Sequence, residues 1–389
     1  MEERLTYRVK SIDILRGFVM IIMALDHTRD FFHITGVSDD PMNLATTTVP
    51  LYFTRWITHF CAPVFVFLSG TSAYLSSKSK TTSDASSFLI KRGLWLIFIE
   101  VAVITFGLTF NPLYNFIIWQ VIWVIGWSMI LLGLLIRFTF YTVLIAGLLL
   151  FFGHDLFDHV TLPENGFPGN IMKILFTARG LVLPVSNTHF IGVFYAILPW
   201  SGVMFLGYSA GYWYRKEFSA LKRRQILLAT GISVMLLFII FRFFNWYGEP
   251  VAWDGNHFFS FLNTSKYPPS LLYLFMTLGP ALIALAFLEN VHDRWLPVFS
   301  VYGRVPFFYY VLHLYIIHSL LVIVFFATGH GAAQIVDPRI PFLFRPFNFG
   351  FSLGIVYAIW ISIVASLYLP CRWFNKYKMS HSQWWLKYL

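Results

Sequence analysis

Residues 268–288 read PPSLLYLFMTLGPALIALAFL, a stretch without a single charged side chain. A helix needs about 20 mostly apolar residues to cross the hydrocarbon core of a bilayer, and this stretch supplies them. Other long and mostly apolar stretches lie at residues 12–34, 56–75, 88–110, 116–136, 138–153, 191–213, 224–244, 303–327 and 348–369. The sequence therefore predicts an all-α integral membrane protein that forms a bundle of about ten transmembrane helices. A count of nine or eleven helices is also compatible with the sequence.

The composition agrees with a membrane protein. Of the 389 residues, 58% are hydrophobic and 12% are charged, whereas soluble domains carry about 25% charged residues. The net charge of +10 does not indicate a nucleic-acid partner, because the basic residues cluster between the apolar stretches, as in cytoplasmic loops. Cys61 and Cys371 are predicted to lie at opposite depths of the membrane, so they indicate neither a disulfide framework nor a metal site.

The basic residues also orient the chain. If the N-terminus is cytoplasmic, most of them fall in inner segments, as the positive-inside rule requires. The outer segments then carry only Arg55, Lys173, Arg179, Lys266, Arg339 and Arg345. Both termini are predicted to be cytoplasmic, with one polytopic domain over residues 1–389 in the inner or plasma membrane. The first apolar stretch contains Asp26 and His27, so we expect it to remain as a helix rather than be removed as a signal peptide.

The first helix carries a set of ionisable residues. Asp13, Arg16, His27 and Asp30 recur at helical spacing and share one face. Arg16 precedes His27 by eleven residues, about 16 Å along the axis, so Arg16 lies towards the cytoplasm and His27 in the outer half. Charged groups inside a membrane are costly and indicate a functional site. The structural alternatives are an anchoring ion pair of Asp13 with Arg16 and a His27 held by a neighbouring helix.

Several segments resemble a family of membrane acyltransferases. SIDILRGFVMIIMALDH at 11–27 resembles the opening of the transmembrane acyltransferase superfamily, one branch of which has an arginine, ten residues and a histidine, matched by Arg16 and His27. A closer resemblance is to bacterial relatives of the heparan-α-glucosaminide N-acetyltransferase catalytic domain. It is carried by RWITHFCAPVFVFLSGTSAYL (55–75), LPWSGVMFLGYSAG (198–211), KYPPSLLYLFMTLGP (266–280) and GRVPFFYYVLHLYIIH (303–318).

The resemblance implies transfer of an acyl group from cytoplasmic acyl-CoA, with acetyl-CoA as the co-substrate, to a saccharide hydroxyl or amine on the extracytoplasmic side. His27 would act as the general base or carry the acyl group transiently, and Asp26 or Asp30 would orient its imidazole. In the lysosomal enzyme of this family an asparagine stands at the position of His27, and the key histidine follows it. This difference leaves His33 as the second choice for the catalytic residue.

Other polar residues are predicted to support the site, and no metal is expected. The candidates for binding the cofactor are Arg16, Asp13 and Arg304. The candidates for lining the cavity are Glu100, Gln120 and His313. His59 is a further catalytic candidate at a depth comparable to His27, since polar groups in lipid must face the bundle interior. For each of these residues the alternative is an interhelical hydrogen bond of about 0.6–2 kcal/mol.

Two other classes of function are weighed against the enzyme. A proton-coupled transporter would use a relay through Asp26, His27, Asp30, Glu100 and His313, although the chain has no visible inverted repeat. A noncatalytic membrane scaffold is disfavoured by the density of ionisable residues in the apolar stretches. The predicted partners are acyl-CoA, a saccharide acceptor and the lipid bilayer, with homodimerisation left open.

Overall fold

The computed structural model describes residues 9–159, 166–289 and 296–388, and these are mostly helical. The α-helices are α1 (Lys10–Phe32), α2 (Val49–Thr58), α3 (Cys61–Ser77), α4 (Thr82–Ile99), α5 (Thr105–Thr109), α6 (Val121–Leu135), α7 (Phe140–Gly153), α8 (Gly166–Met172), α9 (Ile197–Ala210), α10 (Ala220–Phe244), α11 (Phe258–Leu262), α12 (Leu271–Leu288), α13 (Leu296–Arg304), α14 (Pro306–Ala327) and α15 (Leu353–Ser380). The strands are β1 (Phe116–Trp119), β2 (Leu181–Pro184) and β3 (Phe190–Val193). Short π or 3-10 turns lie at Glu100–Ile104, His154–His159, Lys173–Thr177, Gly211–Tyr214, Ala332–Gln334 and Trp384–Lys387.

Each predicted apolar stretch contains a helix, but two of them open differently from the prediction. The stretch 116–136 begins with strand β1 and becomes helical only at Val121. The stretch 191–213 begins within β3 and becomes helical only at Ile197. The residues of β1 are aromatic or β-branched, which favours extended backbone. The all-α prediction therefore holds for the bulk of the fold and is wrong at these two short segments.

Six described helical segments are long and apolar enough to cross a membrane. They are Val49–Ser77, Phe140–Phe157, Ala220–Phe244, Leu271–Leu288, Pro306–Ala327 and Leu353–Ser380. The first of them joins α2 and α3, and α6 is a shorter apolar helix of 15 residues. A multi-pass membrane protein is thus supported, while the count of about ten spans and the cytoplasmic termini stay predictions.

The chain divides into two compact units. Unit 1 consists of Met1–Leu15, Ala62–Glu100 and Ile118–His292, and unit 2 consists of Arg16–Cys61, Val101–Ile117 and Asp293–Leu389. Within unit 1, α4 packs against α6, α7 against α9, and α10 against α12. Within unit 2, α14 packs against α5 and α15, and α13 packs against α15. The single domain over residues 1–389 stays a prediction.

Helices in unit 1 approach each other closely at glycines. A Cβ atom on Gly93 of α4 would lie 2.4 Å from the carbonyl oxygen of Gly126 of α6, and a Cβ atom on Gly126 would lie 2.7 Å from the carbonyl oxygen of Gly93. Membrane helices associate through such close backbone contact, because lipid tails leave little hydrophobic drive between helices. This pair of glycines therefore sets the spacing of α4 and α6.

In unit 2 most of α1 is held by the C-terminal helices. A Cβ atom on Gly17 would lie 1.8 Å from the carbonyl oxygen of Phe299 in α13. On the other helix, the indole Nε1 of Trp360 in α15 donates to the carbonyl oxygen of Ile21 at 2.8 Å. These contacts fix the middle of α1, from which the polar residues at its end project.

Candidate active site

The residues predicted to be catalytic all belong to unit 2. Asp26, His27 and Asp30 lie in the last two turns of α1, and His33 follows the helix directly. His59 is buried at the C-cap of α2. Although the five residues share one unit, their contacts assign them to different surroundings.

Asp26 joins α1 to α2. Arg55 Nη1 donates to both carboxylate oxygens, at 2.7 and 2.8 Å, and the Thr58 hydroxyl donates at 2.9 Å. Arg29 Nη2 lies 3.1 Å from the same carboxylate. Charge-assisted hydrogen bonds of this kind are the strong ones, so this group acts as a clamp between the two helices. Successive side chains of a helix point about 100° apart, so adjacency in sequence does not bring Asp26 against the His27 ring. The role of Asp26 in orienting His27 therefore stays a prediction.

His27 is half-buried and lies beside His313 of α14. The two ring centroids are 5.3 Å apart, with an angle of 48° between the ring planes. His313 has no exposed surface, and its Nδ1 is 3.1 Å from the carbonyl oxygen of Tyr309. Its Nε2 has no hydrogen-bond partner among the described residues. The structure therefore pairs a residue predicted to be catalytic with one predicted to line the cavity.

Asp30 and His33 are bound into the end of α1. The Asp30 carboxylate forms an ion pair with Arg29. His33 Nδ1 lies 3.0 Å from the Thr35 hydroxyl and accepts the Thr35 backbone N–H at 3.3 Å. An imidazole nitrogen that accepts an N–H carries no proton itself, so in the neutral ring the proton is on Nε2. His33 is buried in this turn, and its catalytic role stays a prediction.

Arg345 was predicted only as an outer-loop residue, yet it closes the end of α1. Its fully buried guanidinium donates to the backbone carbonyl oxygens of Asp30, His33, Pro346 and Phe349. The last carbonyl groups of a helix lack partners within the helix, and a cation there also opposes the helix dipole. Sequence spacing gives no signal for this contact, because Arg345 and His33 are 312 residues apart.

Three further residues of the site were missed by the sequence analysis as partners of Asp26. They are Arg29, Arg55 and Thr58. The signal for Arg29 was present, since a residue three positions beyond Asp26 lies on the same side of a helix. The other two residues come from α2, and helical spacing does not relate one helix to another.

The cofactor-binding candidates fall in both units. Arg16 Nη1 donates to the carbonyl oxygen of Gly303 at 3.1 Å, which brings Arg16 to the end of α13, where Arg304 is the last residue. A cation at this helix end opposes the helix dipole. Asp13 is buried in unit 1. The predicted roles of all three residues in cofactor binding remain untested.

Glu100 and Gln120 lie together in unit 1. Glu100 is fully buried, and its carboxylate oxygens accept the backbone N–H groups of Gln120 at 3.1 Å and of Trp123 at 3.2 Å. Gln120 is the N-cap of α6, so Glu100 satisfies amide groups that a helix leaves open at its start. The contact uses the backbone of Gln120, and the predicted cavity-lining role of both residues stays a prediction.

Within the described ranges, no group of three or more histidine, cysteine or carboxylate side chains is placed to hold a metal ion. Cys61 is buried and its thiol donates to the carbonyl oxygen of Val19 at 3.7 Å. This contact suits a thiol that packs between α1 and the start of α3.

A family profile matches more than half of the chain. The sequence profile described as heparan-alpha-glucosaminide N-acetyltransferase, catalytic, matches residues 8–244. The matched range includes α1 and α2, and therefore His27 and the clamp around Asp26, but ends before α14 and His313. No curated protein matches the chain at a significant level.

Proposed function

Because the chain belongs to the family of heparan-alpha-glucosaminide N-acetyltransferase catalytic domains, we propose that it moves an acetyl group across a membrane. The donor is cytoplasmic acetyl-CoA, and the acceptor is a saccharide hydroxyl or amine on the extracytoplasmic side. Family membership supports a transmembrane acetyltransferase in general. The donor, the acceptor, the side of the membrane and its identity as an inner or plasma membrane are parts of the proposal.

The observation that carries the proposal is the pairing of His27 with His313. An acyl acceptor has to lose a proton as it attacks, and a histidine is the side chain most often used to take it. His27 is half-buried, and the adjacent His313 is fully buried. A base supported by a second polar group is the arrangement found at nucleophilic sites.

The reaction balances with His27 as the only proton carrier. A lone pair of the acceptor oxygen or nitrogen forms a bond to the thioester carbonyl carbon, and the acceptor proton passes to His27. The bond between that carbon and sulfur then breaks, and CoA leaves as a thiolate. The thiolate takes the proton from the imidazolium, which returns His27 to its neutral form.

Arg16 and Arg304 are the chain's best candidates for meeting the polyanionic part of the donor. Arg304 is the last residue of α13, and Arg16 of α1 donates to the carbonyl oxygen of Gly303 at the same helix end. Guanidinium groups suit phosphate because they present several N–H donors in a planar fork. In the proposed reaction these two residues hold the donor while His27 acts on the acceptor.

The proposal is tested with purified protein in lipid nanodiscs, acetyl-CoA carrying a labelled acetyl group, and glucosamine-type saccharides. We expect label to appear on the saccharide and free CoA thiol to be released in equal amount, with neither product formed when acceptor or protein is omitted. A proton-linked solute flux in proteoliposomes that needs no CoA, together with no labelled saccharide, would show a transporter instead and overturn the proposal.

The sidedness is tested separately by labelling single cysteines with a membrane-impermeant maleimide in intact cells. Residues 160–185 are expected to react from outside, and residues 216–222 only after the cells are opened. This follows from the charge distribution, because the second segment covers the end of the loop after α9 and the basic first turn of α10. The reverse pattern would contradict transfer in the proposed direction.

A further inference from the structure

We propose that His313 is a positioning residue for His27. In this proposal His313 Nε2 accepts an N–H from the His27 ring, which directs the other ring nitrogen of His27 towards the acceptor. The inference rests on the proposed function, since it assigns His27 the role of base. It concerns α14, which lies outside the part of the chain that the family profile matches.

The position of the proton on His313 follows from its surroundings. Its Nδ1 is 3.1 Å from the carbonyl oxygen of Tyr309, and a carbonyl oxygen can only accept a hydrogen bond. Nδ1 therefore carries the proton, and in the neutral ring Nε2 presents a lone pair. The rings of Tyr309 and Tyr310 each have their centroid 5.5 Å from that of His313, and this packing holds the imidazole in place.

The lone pair of Nε2 is buried and needs a donor. His313 has no exposed surface, and within the described part of the chain Nε2 makes no hydrogen bond. An unsatisfied buried acceptor costs about 1–3 kcal/mol, so such an atom in a native site calls for an explanation. A ring N–H of His27 provides the missing donor.

The spacing of the two rings suits this bond. A hydrogen bond of about 2.9 Å between nitrogens that each lie about 1 Å from their ring centres puts the centroids about 5 Å apart. The observed separation is 5.3 Å, which is close to that spacing. Catalytic hydrogen bonds are often long in a free enzyme and shorten when substrate binds.

The two histidines differ in burial, and this difference assigns them different roles. His27 is half-buried and can touch a substrate, whereas His313 has no surface from which to do so. His313 therefore acts through His27. Fixing the tautomer and direction of a catalytic imidazole is the usual task of the group behind it.

The test uses two amide variants that differ in reach. In His313→Gln the side-chain oxygen reaches the place of Nε2, whereas in His313→Asn the shorter amide reaches only the place of Nδ1. The readout that does not depend on activity is the rate at which diethyl pyrocarbonate modifies His27 at one fixed pH, measured by peptide mass spectrometry. We expect the Gln variant to stay within about twofold of wild type and the Asn variant to react several-fold more slowly, because an imidazole that donates to an acceptor is the better nucleophile.

Acetyl transfer provides the second readout. We expect kcat to fall about 10–100-fold in His313→Asn and to be largely restored in His313→Gln, with the KM for acetyl-CoA little changed, since a positioning residue affects the chemical step. Tyr315→Phe is the matched control. Tyr315 lies in α14 like His313, and the substitution removes its hydrogen bond of 2.9 Å to the Val103 carbonyl oxygen. This control is expected to leave the modification rate of His27 at the wild-type value.

Equal modification rates in the Asn and Gln variants, or a wild-type rate in both, would overturn the positioning role. If wild-type protein transfers no acetyl group but the Asn variant still slows modification of His27 while the Gln variant does not, the histidine pair stands and the proposed function fails. Thermal unfolding of each variant in the same lipid identifies any that is misfolded. His313→Leu then serves as a replacement for the Asn variant, with the same expected loss.

Discussion

Glu100 in unit 1 and His313 in unit 2 are both fully buried ionisable residues, but their polar atoms are used in different ways. Both carboxylate oxygens of Glu100 accept backbone N–H groups at the start of α6. His313 uses one nitrogen on a carbonyl oxygen, while the other lacks a partner among the residues described. The first arrangement completes a helix end, and the second leaves an acceptor that a neighbouring side chain can use.

The same contrast separates Asp26 from His27, which are adjacent in α1. Asp26 is surrounded by Arg55, Thr58 and Arg29, whereas His27 is half-buried beside His313. A buried ionisable residue is therefore a weak indicator of chemistry by itself. Whether its hydrogen bonds are completed by the fold distinguishes a structural group from a functional one.

The largest effect is expected on the rate of acetyl transfer when His27 is replaced. His27→Ala should lower acetyl transfer by about 10²–10⁴-fold, because a general base contributes about that much to the rate. Its affinity for acetyl-CoA should change little, since Arg16 lies about 16 Å away along the helix axis. Isothermal titration with acetyl-CoA and the labelled transfer assay measure the two quantities.

His33→Ala and His59→Ala are the comparison variants and should be milder if these residues only position the acceptor. A folded His27→Ala protein that acetylates at the wild-type rate would contradict the assignment. His33 would then become the leading candidate for the base.

The next largest effect is expected at the clamp. Asp26→Asn keeps the shape of the side chain but removes the charge that pairs with Arg55 and Arg29, and breaking a buried pair costs about 3–5 kcal/mol. We expect the midpoint of thermal unfolding to be clearly lower than in wild type. Tryptophan fluorescence monitors the unfolding. Thr58→Val should cost only about 1 kcal/mol, because it removes one hydrogen bond and no charge. A stable Asp26→Asn protein with lost activity would instead show that Asp26 works mainly on His27.

At Glu100 a smaller loss of stability with little direct effect on chemistry is expected. Glu100→Gln keeps one accepting oxygen and replaces the other with a donor that faces a backbone N–H, which should cost about 1–3 kcal/mol. The measurement compares the unfolding midpoint and kcat of this variant with those of His313→Asn. If Glu100→Gln left stability unchanged and lowered kcat strongly, the contrast between the two buried groups would be broken.

The smallest expected effect is a pH dependence outside the membrane-spanning segments. Burial raises the pKa of Glu249, and hydrogen bonds from Ser265 and Ser270 oppose this rise only in part. Because the folded state then binds the proton more tightly than the unfolded state, this residue's contribution to stability falls as pH rises from 4.5 towards the raised pKa. The unfolding midpoint measured from pH 4.5 upward should therefore fall less in Glu249→Gln than in wild type. Identical pH profiles would contradict the raised pKa.

Much of the fold was readable from the sequence, because each apolar stretch carries its own signal. A run long enough to span lipid must satisfy its backbone hydrogen bonds within itself, so it becomes helical. The prediction was wrong where β1 and β3 replace the start of a helix, since periodicity does not mark helix boundaries within a few residues. The family was readable as well, and the profile match over residues 8–244 confirms it.

Only part of the candidate site could be predicted from the sequence. His27 and Asp26 were identified because ionisable residues in an apolar helix are conspicuous. The partners of these two residues were not identified, since Arg55 and Thr58 come from α2 and the close partner of His27 comes from α14. Nothing in the sequence distinguishes Arg345 from other loop arginines. Only the structure shows that it donates to four backbone carbonyl oxygens at the end of α1.

The sequence by itself determined that this chain is a multi-pass membrane protein of an acetyltransferase family, because hydrophobicity and motif spacing are local properties of the chain. Only the tertiary structure decided which buried polar groups are satisfied by the fold and which are left available. Hydrogen bonding depends on distances between helices that are far apart in sequence. The surroundings of Glu100 and Asp26 are completed in this way, whereas the Nε2 atom of His313, beside His27, is the acceptor from which we infer its role.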